Sequence, residues 1–190
     1  MEGAPAIFAD TNVLVSTVLR NLFLELADAR AIRLYWSEDV LSELVRTLKR
    51  LRPATPLASF DSLIAAMNES FPDALVGPIP FERLSATLPD LNDRHVLAAA
   101  LAVPCAAIAT FNLRDFPANE LAREGSIRAA HPDTLLVSLI TTNPAPALAA
   151  LFRAQHTFKA PPLSDPDFLA LIARIGLPQT ADLLRHLRQG

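Results

Sequence analysis

The chain has 190 residues, 51% of them hydrophobic and 19% charged, and a formal net charge of −3. That size and balance describe one sizeable core with room for a small appendage, and exclude both a disordered chain and two full domains. They also exclude a global basic field, so a nucleic-acid partner would need a local patch. In chain order, Ile7 to Ala9 reads as a short buried strand, and apolar residues then recur at helical spacing at Val15, Val18, Leu19, Leu22 and Leu26. "IRLYW" reads as a second strand. Ser37 is an N-cap, with Glu38 and Asp39 in a first turn where the helix dipole favours acids, and a helix runs from Val40 to Leu51, ahead of Pro53.

Residues 57–71 form another amphipathic stretch, after which Pro72, Pro78, Pro80 and Pro89 break the chain into loops or short extended pieces. Asp93 opens a helix backed by Val96, Leu97, Ala100 and Leu101, "AAIAT" supplies the next strand and "SIRAA" another. In "HPD", Pro132 restricts a turn to which His131 belongs, and Asp133 is placed to cap "TLLVSLI". This alternation predicts an α/β fold with three α/β/α layers around a central, mostly parallel sheet. Beyond residue 142 the texture becomes purely helical, punctuated by Pro144, Pro146, Pro161, Pro162, Pro166 and Pro178. The expected division is thus an α/β domain over 1–142 and a helical extension of two or three short helices over 143–190. The extension's apolar residues, among them Phe168, Leu169, Ile172, Leu177 and Leu184, need cover from the main domain, a second protomer or a partner.

Cys105 is the single cysteine, which excludes a disulfide framework or a thiolate metal site within one chain. An acid, Glu2, stands where a signal peptide carries positive charge, and no early apolar region follows it. The run "VLAAALAVPCAAIATF" falls short of the roughly 18–20 residues a membrane span needs and contains Pro104. A cytoplasmic protein with no membrane partner is the expectation.

In an open parallel sheet, ligands bind at the carboxyl ends of the strands, where loops and helix N-termini converge. Asp10 lies at such an end, Asp93 begins a helix after a loop, and Asn112 and Asp115 fall just past the "AAIA" strand. Each has an ordinary alternative as a helix cap or turn residue. Their joint placement favours a shared site. Oxygen ligands without His or Cys suit a hard cation, Mg²⁺ or Mn²⁺, and such an ion fits phosphodiester hydrolysis.

Four segments, "FADTNVLVS", "WSEDVLSELVRTL", "DLNDRHVLAAAL" and "IATFNLRDFP", stand in the order of the motifs of a PIN-domain ribonuclease, and specifically resemble the VapC-type toxins of bacterial toxin–antitoxin pairs. The resemblance covers residues 6 to about 140. It implies that Asp10, Glu43, Asp93 and Asp115 hold the metal, that Asn112 joins Asp115 in orienting a water, and that Thr110, Asn12 and Ser16 support them by hydrogen bonds. Many family members carry an acid two residues after the threonine, where this chain has Asn112; one extra loop residue would shift that acid to Asp115. Read from its helix alone, Glu43 lies outside the apolar stripe, and a surface ion pair with Arg46 or Arg50 is the competing reading. His95, two positions from Asp93 on a helix, is expected to point elsewhere as a bystander.

Also implied are an endoribonuclease acting on RNA, a homodimer and a cognate antitoxin protein. Arg20, or another of the early basic residues Arg30, Arg33, Arg46, Lys49, Arg50 and Arg52, is the expected contact for the RNA backbone, with a plain solvated helix face as the alternative for the cluster. A catalytically silent PIN-like module that binds RNA or protein is the second functional reading, supported by Asn112. A dehalogenase-type phosphatase is disfavoured, because Asn12 occupies the position of its second aspartate.

Overall fold

The computed structural model describes residues 3–80, 84–157 and 163–188. The elements are β1 (Ala6–Ala9), α1 (Thr11–Val15), α2 (Thr17–Asp28), β2 (Arg33–Ser37), α3 (Glu38–Leu51), α4 (Leu57–Ser70), β3 (Leu75–Val76), α5 (Arg94–Leu101), β4 (Ala107–Ala109), α6 (Ala118–Leu121), β5 (Arg128–Ala130), α7 (Pro132–Thr142), α8 (Pro144–His156), α9 (Asp165–Arg174) and α10 (Pro178–Leu187). Among the described residues the strands form one sheet in the order β3-β2-β1-β4-β5, and every pairing is parallel. Helices flank it, as the α/β/α expectation requires. β1 and β4 are buried along their whole length, which is why they read as unbroken apolar runs and not as alternating ones.

Register decides what the sheet presents at its edge. Phe8 pairs with Tyr35, Ala9 with Ala109, and Ala109 with Ala130. At the carboxyl ends therefore stand Ser37, the last residue of β2, and Asp10, Thr110 and His131, the first beyond β1, β4 and β5, side by side across four strands. Two further backbone bonds keep this edge together, from Asp10 N to Ala109 O (3.1 Å) and from Thr110 N to Ala130 O (3.1 Å).

Three local expectations change. β3, two residues long and paired through Trp36↔Leu75 and Ser37↔Val76, is too short to carry a periodicity signal in the proline-broken stretch. The first helix is two helices: Ser16 adopts an extended conformation (φ −70°, ψ 117°) and its side chain accepts from Leu19 N, so it caps α2 instead of supporting the acid at Asp10. The cap of α7 is His131, whose Nδ1 accepts from Asp133 N (3.1 Å). Asp133 itself, only 1% exposed, turns away from α7 and accepts from Gln179 N, Thr180 N and Thr180 Oγ1 at 2.9, 2.8 and 2.7 Å.

That network ties the start of α10 to the start of α7. Prolines also serve as helix starts, with Pro132, Pro144, Pro166 and Pro178 all in the first turn, where a missing N–H loses nothing; Pro161 and Pro162 lie outside the described residues. The extension covers its own chain: α8 packs on α2, α10 packs on α7, and Phe168, Ile172, Leu177 and Leu184 are buried in the common core. Arg153 adds an ion pair to Glu25 of α2 (2.7 Å). Thr180→Val, which keeps the shape and removes the hydroxyl, is expected to cost about 1–2 kcal/mol by leaving a buried carboxylate short of a donor. Thermal melting should then fall by a few degrees, and an unchanged melt would show that the Thr180 hydroxyl does not help to hold the extension. Among the described residues no helix is long and apolar enough to cross a membrane.

Candidate metal and catalytic site

Asp10 is 5% exposed and stands at the N-cap of α1, yet its side chain makes no capping hydrogen bond. Its Oδ2 instead accepts from Thr110 Oγ1 (2.7 Å) and from Asn12 Nδ2. Asn12 also donates to Thr110 Oγ1 (2.9 Å) and accepts from Phe111 N (3.1 Å), so one amide locks the ends of β1 and β4 together. Asp93 likewise makes no capping hydrogen bond with its side chain. Neither acid is therefore held by a capping hydrogen bond of its own side chain.

The other sequence-predicted groups approach the same edge. Glu43, on α3, accepts from Thr11 Oγ1 at Oε2 (2.8 Å), immediately beside Asp10 in the chain. Its Oε1 lies 3.3 Å from His95 Nε2, on the helix that Asp93 precedes. Arg46 is its more distant partner at 3.9 Å and is 73% exposed, so the surface ion pair is the weaker of Glu43's contacts. Asn112 N donates to Thr110 Oγ1 (3.0 Å), and the Asn112 side-chain amide donates to Asp115 Oδ2. A short 3₁₀ turn over Leu113–Asp115 produces that pairing, since residues three apart eclipse in such a turn. Asp115 thus returns to the position of Asn112 in spite of the longer spacing.

Electrostatics reports the same gathering. Burial, then the charges of Asp10, Asp90, Asp115 and Glu43, push the Asp93 carboxyl up to about 7. Burial also raises Asp10, with the Thr110 hydroxyl opposing it and Glu43 adding to it. Glu43 is held below the usual range, first by the hydrogen bond from His95 and then by Thr11, against the effect of burial. Burial by itself would lower His95, but the hydrogen bond and charge of Glu43 outweigh it and leave the imidazole raised. Among the described residues no three His, Cys, Asp or Glu side chains stand as a ready-made metal cage. The acids are within electrostatic reach of one another without being at ligating separation. As a donor set they are all oxygen and mutually repelling, which fits a hard divalent cation.

The raised Asp93 has a measurable consequence. Its folded value of about 7 lies above the ordinary 3.8, so the folded state binds the proton more tightly than the unfolded state does. The stability this contributes is complete at low pH and is lost as pH rises through that interval. In EDTA, wild-type melting is expected to decline between pH 4 and pH 7, and Asp93→Asn should flatten the decline and melt a few degrees higher at pH 8. Parallel pH profiles for the two proteins would show that Asp93 does not carry the repulsion.

Thr11 was not singled out from sequence, and His95 was read there as a bystander; both bond to Glu43. Thr11 had the signal of adjacency to Asp10. Periodicity along one helix could not show that α3 packs against α5, where His95 Nε2 meets Glu43 Oε1, so His95 is a partner of a proposed site residue and not a bystander. Arg20 is corrected in the opposite direction. It is 6% exposed and donates from Nη1 to Leu14 O (2.7 Å), satisfying a carbonyl left open where α1 ends at the Ser16 break. Burial, and secondarily Arg52, lowers its pKa. A side chain so placed is not presented to a phosphate in solution.

The PIN domain family model matches residues 6–114, more than half of the chain. The chain belongs to the PIN-domain family. A second family model, the VapC50 C-terminal domain, matches residues 132–186, from the first residue of α7 to one residue short of the end of α10. Together they make this a VapC-type PIN protein with a C-terminal extension, in a toxin-type nuclease family. No curated protein and no solved structure matches the chain. All four acids lie within or one residue beyond the PIN match, and the extension's Gly176 meets the PIN domain beside them. A Cβ built on Gly176 would stand 2.8 Å from Phe111 Cε1, and Phe111 is the residue whose N–H holds Asn12.

Proposed function

We propose that this protein is a metal-dependent endoribonuclease, the toxin of a type II toxin–antitoxin pair, acting on RNA phosphodiester bonds with Mg²⁺ or Mn²⁺. The observation that carries the reading is the Asp10 carboxylate: buried, uncommitted to helix capping, and oriented by Thr110 and Asn12 at the carboxyl edge of the sheet. In this reading Asp10, Glu43, Asp93 and Asp115 hold the cation. The cation would polarise the scissile phosphate and lower the pKa of the attacking water. Thr110 and Asn12 keep Asp10 aimed at that position, and His95 and Thr11 keep Glu43 ionised and fixed. Asp115, with Asn112 bound to it, accepts a hydrogen bond from the water and aligns it for in-line attack. Phosphorus gains the water oxygen and loses one ribose oxygen, which leaves with a proton.

A cognate antitoxin partner, which the family matches support, a soluble cytoplasmic setting and a homodimer are parts of the same proposal. Brief expression followed by sequencing of new RNA ends, together with cleavage by the purified protein in Mg²⁺, Mn²⁺ or EDTA, tests it. Cleavage that needs either ion and stops in EDTA is the expected result. Inert protein, or cleavage indifferent to EDTA, would overturn the reading.

A further inference from the structure

α3 has two distinct faces. Val40, Leu41, Leu44 and Leu48 are buried in the core, while Glu43, Arg46, Thr47 and Arg50 follow one another at i, i+3, i+4 and i+7 along a single outward stripe. With Asn92, which belongs to the 3₁₀ turn leading to Asp93, these four line an open cavity of about 570 Å³. Asn92 is anchored there by Asp90, whose Oδ1 accepts from its backbone N (2.8 Å) and its side-chain amide (2.9 Å). One wall of this cavity is therefore Glu43, a member of the acidic site, and the rest of its lining is polar and cationic.

We propose that this groove is the track for the phosphodiester backbone of the single-stranded RNA next to the scissile bond, with Arg46 and Arg50 as its phosphate contacts. The proposal rests on the nuclease reading and adds the strand's path to it. Arg46 and Arg50 stand one helical turn apart, about 6 Å along the axis, on the same stripe. Both are exposed, and the 3.9 Å contact of Arg46 with Glu43 is long and screened by solvent, so among the described residues neither guanidinium is committed elsewhere. A planar guanidinium fork matches phosphate oxygens in pairs. In a chain whose net charge is −3, two such groups beside a cluster of acids form a local reversal of sign. The strand then divides itself between them: flanking phosphates lie on the arginines, and the scissile phosphate lies on the acidic side. Contacts of this kind set affinity and position without reading bases. The role expected from sequence for Arg20 falls instead to the arginines of α3.

The test uses the intact protein in EDTA, where binding is separated from cleavage, with fluorescent 12-nucleotide oligo-U and oligo-A titrated by anisotropy between 20 and 200 mM salt. Arg46→Ala/Arg50→Ala should weaken both oligonucleotides about equally, by about 10-fold at low salt, and lower the slope of log affinity against log salt by about 1.4. Lys49→Ala/Arg185→Ala removes the same charge at exposed positions outside the groove and should leave the slope unchanged. With metal present, the arginine variant should raise KM for RNA and leave its kcat as it was. An unaltered slope, an equal loss in the control, or wild-type protein with no salt-dependent binding would overturn the track. Binding that follows this pattern in a protein that never cuts RNA would retain the groove and overturn only the nuclease reading.

Discussion

Asp10→Asn is expected to reduce RNA cleavage by about 10³-fold or more while leaving the melting temperature equal to or above that of the wild type. The substitution keeps the shape of a side chain that is 5% exposed and removes its charge. Folding already works against that charge, since burial raises the Asp10 pKa and the neighbouring Glu43 adds to the effect. A neutral amide relieves this strain and still offers an oxygen to Thr110 and Asn12. Catalysis in the proposed mechanism depends on the charge itself, which the amide does not supply. Single-turnover cleavage, calorimetric Mn²⁺ binding and thermal melting of the same preparation separate the two roles. Loss of activity together with a large fall in melting temperature would make Asp10 a structural acid, and unchanged Mn²⁺ affinity would remove it from the metal.

Gly176→Ala is expected to have the largest effect on stability, about 2–4 kcal/mol, or on the order of 10 °C in melting temperature. Two independent strains add. Gly176 has φ +101°, a conformation that side chains rarely adopt, and the new Cβ would lie 2.8 Å from Phe111 Cε1. The Phe111 ring has little room to yield, because it stands edge-on to the His131 ring with centroids 4.8 Å apart. Displacing Phe111 disturbs its N–H bond to Asn12, and through Asn12 the Asp10 carboxylate, so activity per folded molecule should fall as well. Adding Phe111→Leu to Gly176→Ala should recover the part due to crowding and leave the part due to backbone conformation. If the double variant is no more stable and no more active than Gly176→Ala alone, the extension does not press on the site through this ring.

These two residues mark opposite limits of what a sequence can convey. Asp10 was legible because a buried parallel strand is a short apolar run, and the first polar residue after it must stand at the carboxyl edge. The same logic located Asn112 and Asp115 behind β4, a helix start after a loop marked Asp93, and Thr110 entered through the resemblance. Glu43 was legible only through resemblance, since its helical wheel places it among surface arginines, and the side chains that single it out, Thr11 and His95, come from other elements. Nothing local marks Gly176 as the neighbour of Phe111, 65 positions earlier in the chain.

By itself the amino-acid sequence determined the alternation of strands and helices, the layered parallel architecture, the acids at the strand ends and the helical character of the extension. Each of these follows from periodicity, capping and punctuation, whose range is a few residues. Only the tertiary structure decided that Arg20 closes the α1–α2 break instead of facing a phosphate, that Asp133 serves α10 instead of its own helix, and that the extension lies on its own domain. Those outcomes depend on which donors and acceptors remain unpaired once distant elements have packed, and a buried polar group takes the partner that packing brings to it.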